Sequence, residues 1–168
     1  MDFDEAYYST EIQGAVDHPH FLQRAEWIQD YVPSGAKVYI LGCGFGHLVY
    51  HLRELGINAY GIESSSFAYA SRVTPFIFHE KAEIFTYEVG SYVFSWNMLD
   101  CMTETTAILL SLQLRETNQL HVVCCSGDYD GYLIKDKEWW DILFNHVIDF
   151  EDPISLLHVP TSWGKVSH

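Results

Sequence analysis

Six residues carry most of the chemistry that this sequence offers. Gly42, Cys43, Gly44, Phe45 and Gly46 follow the apolar run Val38-Tyr39-Ile40-Leu41, and Glu63 stands 17 positions beyond Gly46. Glycines without a Cβ let a backbone approach a ligand closely. A helix opening after them lends its unpaired amide groups to a polar ligand. An acidic side chain at the end of the next strand is suited to a pair of ribose hydroxyls. Together these features predict a nucleotide-like ligand lying over the end of a parallel sheet.

Those residues need elements to hold them. Phe21, Ala25 and Ile28 recur at helical spacing, which predicts a helix from His20 to about Tyr31, ended by Pro33. A strand is expected over Lys37–Leu41. The next helix starts near Gly46, carries Leu48, Leu52 and Leu55, and closes at Gly56. A second strand covers Asn58 to Ile62 and ends at Glu63. Ser64, Ser65 and Ser66 then cap a helix running to about Val73, before Pro75. A short third strand lies within Phe76 to Val89, and a fourth over Tyr92–Trp96. Thr103 caps a helix through Ala107, Leu110 and Leu114. Leu120 to Cys125 is a continuous apolar run, as in a strand covered on both faces. Asp136 opens a helix with Trp139, Trp140 and Leu143. Two final strands are expected near Val147 to Phe150 and Ser155 to Val159. The alternation predicts an α/β layered fold with a mainly parallel sheet. Right-handed crossovers place the first strand centrally, with the ligand crevice at its carboxyl end.

At 168 residues the chain reads as a single domain, 1–168, with residues 1–20 as an arm or flap rather than core. Nine Lys and Arg face 23 Asp and Glu, a net charge of −14. A protein that grips nucleic acid directly needs a basic stripe to displace counterions, and none is visible. Lys135 and Lys137 read as a solvated loop. The same charge should repel anionic membrane. No apolar stretch is long enough for a bilayer and no leader opens the chain, so a cytoplasmic protein is expected. Cys43, Cys101, Cys124 and Cys125 have no metal-ligand spacing, and neighbours on a strand point to opposite faces. They read as reduced thiols, with no metal site expected.

The run LGCGFGHLVYHLRELGINAYGIESSSFAYASRV resembles the first motifs of the class I, Rossmann-like S-adenosylmethionine-dependent methyltransferases. GSYVFSWNMLDCM is similar to that family's fourth-strand motif, LHVVCCSGD to strand five and its turn, and KEWWDILF to a helix that follows. The resemblance spans roughly Gln23 to Phe150. It implies a three-layer sandwich with a mostly parallel seven-stranded sheet whose last strand is antiparallel. It implies S-adenosyl-L-methionine as cofactor, with Gly42, Cys43, Gly44 and Gly46 packed against its methionine and ribose portion. Glu63 would hold the ribose hydroxyls, Ser64 and Ser65 would flank the adenine, and Trp96 and Asn97 would floor the site of the transferable methyl group. Three departures stand out. Ile40 occupies the position of the usual acid that helps hold the cofactor's amino group. The acid that meets the adenine amine is either Glu80 or Glu83. Tyr92 or Val93 replaces the Asp that often begins strand four.

Many methyl acceptors need a base. His18, His20, Tyr7 and Tyr8 in the arm, and Asp128 and Asp130 after strand five, are candidates, although exposed polar loop residues without a role are the simpler account of each. His47 and His51 stand four apart on a helix with no evident third metal ligand. No Asp/Asn/Ser-Pro-Pro-aromatic tetrapeptide and no Pro-Cys after strand four occur, which argues against methylation of DNA base amines and of cytosine C5. Asp100 is weak support for a metal-dependent reaction and reads as a helix cap. Three readings follow. One is a methyltransferase acting on a small molecule or on a group that a partner presents. Another is a non-catalytic binding or scaffold subunit of the same fold. The third is an NAD-dependent oxidoreductase, against which His47 fills the place of the third glycine or alanine.

Overall fold

The computed structural model describes residues 5–10, 16–123 and 133–149. Helix α1 (Glu5–Thr10) and helix α2 (Pro19–Tyr31) precede strand β1 (Lys37–Leu41). Then come α3 (His47–Glu54), β2 (Asn58–Glu63), α4 (Ser66–Ala70), β3 (Ile77–His79) and β4 (Tyr92–Trp96). A 3-10 turn (Leu99–Cys101) leads to α5 (Glu104–Gln113), β5 (Asn118–Val123), α6 (Lys137–Leu143) and β6 (Val147–Asp149). The described strands form one six-stranded sheet in the order β3-β2-β1-β4-β5-β6. Every neighbouring pair is parallel. The antiparallel seventh strand expected over Ser155–Val159 lies outside the described residues.

Alternation along the strands builds two cores. Val38 and Ile40 of β1 face the side covered by α2 and α3, with Ala25, Ile28, Leu48, Leu52 and Phe94. Tyr39 and Leu41 face the side covered by α5 and α6, with Leu110, Leu114, Trp140 and Phe144. Each fully buried side chain of this size stabilises the fold by about 1.5–3 kcal/mol. The result is a helix–sheet–helix sandwich, as the patterning requires.

Local signals set most of the helix ends. The hydroxyls of Ser65 and Thr103 and the carboxylate of Asp136 accept amide hydrogen bonds and cap α4, α5 and α6. Gly56 follows α3 in the left-handed region. Helix α4 stops at Ala70 rather than Val73. The amide of Val73 donates instead to the Phe45 carbonyl at 2.9 Å, which draws the chain toward the glycine loop. Asp100 does not cap α5; it is buried in the preceding turn, where its carbonyl accepts from the Leu133 amide at 2.6 Å. Lys135 pairs with Glu104 and Lys137 with Asp141, so neither lysine is left for a basic patch. Among the described residues, no helix is long and apolar enough to cross a membrane.

His121 of β5 is fully buried against Phe144, and its Nδ1 bonds the Ser95 hydroxyl at 2.8 Å. Burial depresses its pKa to about 3. The unfolded chain therefore takes up a proton near pH 6.5 that the fold excludes until about pH 3, so stability falls as pH drops through that window. The melting temperature should decline from pH 7 to pH 4.5, and the decline should be shallower in the paired variant Ser95→Ala, His121→Leu. Identical calorimetric slopes for the two proteins would contradict this role for His121.

Candidate active-site cleft

The sheet order changes direction between β1 and β4, and a crevice opens at their carboxyl ends, as such a switch point requires. The cavity there holds about 420 Å³, within the roughly 300–1,000 Å³ usual for small-molecule sites. The loop after β1, the end of β2, the segment after β3, the turn after β4 and helices α1 and α2 all contribute to its walls.

The glycine loop is built so that its backbone lines this cavity. Gly42 and Gly46 both take positive φ, 57° and 87°. A Cβ on Gly42 would stand 2.5 Å from Met98 Cγ, and one on Gly46 would stand 2.4 Å from Ile77 Cδ1. Gly42 and Cys43 donate to the Ile62 carbonyl at 2.9 and 3.3 Å, which ties the loop to β2. Glu63 completes the tie: its Oε2 accepts the Gly44 amide at 2.8 Å and its Oε1 the Ser65 amide at 2.7 Å. Burial pushes the Glu63 carboxyl up, and the amides of Ser65, Gly44 and Ser64 pull against that shift. Three amides leave about one of the carboxylate's roughly four acceptor sites for a ligand in the cleft.

Of the residues singled out from sequence, Gly42, Cys43, Gly44, Glu63, Ser64, Trp96 and Asn97 line the cleft, together with Tyr7, Tyr8, His20 and both Glu80 and Glu83. Gly46 and Ser65 do not. Gly46 is the N-cap of α3, and Ser65 caps α4. His18 stacks on His20 at 5.5 Å but stands outside the lining. Asp128 and Asp130 lie outside the described residues. The expectation that the first 20 residues are a flap apart from the core needs correcting at Tyr8 and His20, which are both buried. Tyr8 stacks on Phe45 at 5.0 Å and shares a hydrogen bond with Ser65. Burial, then the charge of Glu63, drives the Tyr8 phenol well above its ordinary range, so at neutral pH it stays protonated and is no base. His47 and His51 are not simply solvated: His51 Nε2 meets Asp17 at 2.9 Å, and His47 Nδ1 stands 3.9 Å from the same carboxylate. No group of three His, Cys, Asp or Glu suited to a metal occurs among the described residues. Cys43 and Cys101, the two cysteines described, line the cleft and are not joined in a disulfide.

Sequence reading missed Arg24. It lines the cleft, is 7% exposed, and lays its guanidinium 4.9 Å from the centre of the Trp96 ring. Burial lowers its pKa to about 10, so it remains charged at neutral pH. The signal was present in the helix stripe: Arg24 falls between Phe21, Ala25 and Ile28 at the i, i+3, i+4, i+7 positions that face inward. A charged residue on such a stripe points to a site.

Comparison with known proteins agrees with this geometry. Residues 23–86 match the family model described as methionine biosynthesis protein MetW. A SAM-dependent methyltransferase from Archaeoglobus fulgidus superposes with a TM-score of 0.57 at 14% identity, over 69% of this chain and 55% of that one. The PH0226 protein from Pyrococcus horikoshii OT3 gives 0.56 at 15% identity, over 68% and 61%. The CcbJ methyltransferase from Streptomyces caelestis gives 0.54 at 18% identity, over 67% and 51%. This is the fold of the S-adenosylmethionine-dependent methyltransferases. The chain spans between 51% and 61% of the length of these three proteins. No curated protein matches it by sequence.

The glycine loop gives a direct test of its own packing. Gly46→Ala must accept both a left-handed backbone and the contact with Ile77, and should lose about 2–4 kcal/mol of unfolding free energy in urea. A loss below about 0.5 kcal/mol would contradict the tight fit described for this turn.

Proposed function

We propose that this chain is an S-adenosylmethionine-dependent methyltransferase acting on a small molecule or on a group that a partner protein presents. One observation carries the reading: the Glu63 carboxylate, fixed by the Gly44 and Ser65 amides, borders a cleft that runs to Trp96 and Asn97. The methyltransferase fold and the match of residues 23–86 to the MetW model support it. The site also fits a nucleoside on its own terms. Its glycine loop has no room for a side chain at Gly42, and the buried carboxylate there keeps some acceptor capacity beyond its three amides.

In this reading Gly42, Cys43 and Gly44 cradle the ligand's ribose and tail, Glu63 accepts the ribose hydroxyls, and Ser64, Glu80 and Glu83 border the adenine end. The cofactor would supply an electrophilic methyl group on a sulfonium. Trp96, Asn97, Met98 and Met102 floor the site where the acceptor is placed. Positioning and exclusion of water then supply much of the rate. His20 is the best-placed candidate to take a proton from an acceptor, since it is buried in the cleft wall and Tyr8 stays protonated. The excess of acidic residues in the whole chain favours acceptors other than nucleic acid.

Calorimetry tests the reading. S-adenosylmethionine or S-adenosylhomocysteine should bind with micromolar affinity, and Glu63→Ala should weaken binding by ~1–3 kcal/mol, the scale of charge-assisted hydrogen bonds. Binding of NAD in their place would favour an oxidoreductase. A folded protein that binds none of the three would leave a scaffold role.

A further inference from the structure

Helix α5 is apolar on two sides. Ala107, Leu110 and Leu114 are buried against the sheet. Opposite them, Thr105, Ile108, Leu109 and Leu112 recur at i, i+3, i+4 and i+7, which makes a second stripe. Ile108, Leu109 and Leu112 are exposed by 41%, 47% and 46%. A helix that is apolar all round normally lies inside a protein, yet this one lies on the surface. On the neighbouring α6, Trp140 is buried and Ile142, 76% exposed, points outward and extends the apolar area. No residue between Glu104 and Arg115 carries a charge.

The surrounding charges favour another copy of this chain as the occupant. Two copies at −14 repel each other, and least where the facing surface is nearly neutral. Over residues 104–116 and 135–143, Arg115, Lys135 and Lys137 stand against Glu104, Glu116, Asp136, Glu138 and Asp141, so 3 − 5 = −2. Glu104 pairs with Lys135 at 2.9 Å, and Lys137 with Asp141 at 2.6 Å. The outer faces of α2 and α3, by contrast, show Glu26, Asp30 and Glu54 to solvent. The α5 face also complements itself. An antiparallel crossing about a twofold axis brings the Glu104 end of one helix to the Arg115 end of the other and opposes their dipoles.

We propose that two copies of this chain associate through the outer faces of α5 and α6, with the stripe of Ile108, Leu109 and Leu112 at the twofold axis. This inference stands apart from the choice of ligand in the cleft. Side by side, the two helix faces measure about 15 by 20 Å, roughly a few hundred Å² per copy, which is the low end for protein interfaces. The dimer is therefore reversible, with a dissociation constant on the order of 1–100 μM. Met102, Thr103 and Thr106, at the start of α5, line the cleft, so the second copy stands beside its mouth.

Sedimentation velocity over about 1–500 μM tests this, and a shift from monomer to dimer across that range is expected. Leu109→Lys should raise the dissociation constant about tenfold or more, because it sets two ammonium groups against each other at the axis. The substitution lowers the overall negative charge, so weaker association cannot come from greater general repulsion. Leu112→Lys is a second variant on the same stripe, and an unchanged melting temperature shows that either variant is folded. Ile84→Lys, at a 60% exposed apolar position after β3, should leave association within about twofold. Added salt should strengthen the dimer, since it screens the repulsion between acidic copies. A protein that stays monomeric to about 500 μM overturns the proposal and leaves the stripe to a different protein. Flotation of that monomer with phosphatidylcholine vesicles overturns it in favour of a lipid surface. A dimer that survives both stripe variants, or that only Ile84→Lys disrupts, places the contact elsewhere and also overturns it.

Discussion

Everything at the mouth of this sheet hangs on one carboxylate. Glu63 ends β2 with its side chain turned back over the crevice, where it accepts one amide from the glycine loop and another from the cap of α4. Desolvating an acid is costly, and only several good hydrogen bonds offset that cost. Here the loop after β1 supplies the Gly44 amide, and the turn after β2 those of Ser64 and Ser65. Neither the loop nor the start of α4 can move away without costing the carboxylate a donor. Close packing reinforces the tie: a Cβ on Gly61 would stand 2.4 Å from Cys43 Sγ, so strand and loop touch directly.

The second constraint is the order of strands. With β1 between β2 and β4, the loops after these three strands share one crevice while their helices cover opposite faces of the sheet. Much of the cleft lining therefore comes from strand ends and the turns that follow them. The N-terminal helix adds a roof. Tyr8, Phe45 and Ala68 form a small core of their own, with Tyr7 and Phe67 against it. That core ties α1 to the glycine loop and to α4, so the roof rests on the elements that Glu63 already holds.

What the sequence disclosed follows from which forces are local. The strands β1, β2 and β4 were legible because apolar runs bounded by glycine or polar turns have few other readings. The caps at Ser65, Thr103 and Asp136 were legible because a hydroxyl or carboxylate before a helix acts within three residues. β3 was hard to place because it is only three residues long and two of them, Phe78 and His79, are exposed. Ser65 caps α4 and lies outside the cleft lining, and a capping serine and a binding serine look alike until the chain is folded. The burial of Tyr8 was invisible because it depends on Phe45 and Phe67, far away in sequence. Arg24 was readable and was passed over, because a helix with an apolar stripe invites attention to the stripe and not to its exception.

That exception bears on how the cleft manages charge. The chain carries −14 overall, yet the floor beyond the glycine loop is made of Trp96, Asn97, Met98, Cys101 and Met102, none of them a carboxylate. On the methyltransferase reading the division is sensible. An acidic protein draws a cationic ligand inward over long range. At the point of transfer, a fixed anion would stabilise the sulfonium of the ground state and raise the barrier, because charge disperses as the methyl group leaves. A floor of aromatic, amide and thioether groups does not bind the starting charge in that way. Glu63 ends β2 and Trp96 ends β4, with β1 between them, so on this reading the acid can orient a ligand without taxing the reaction.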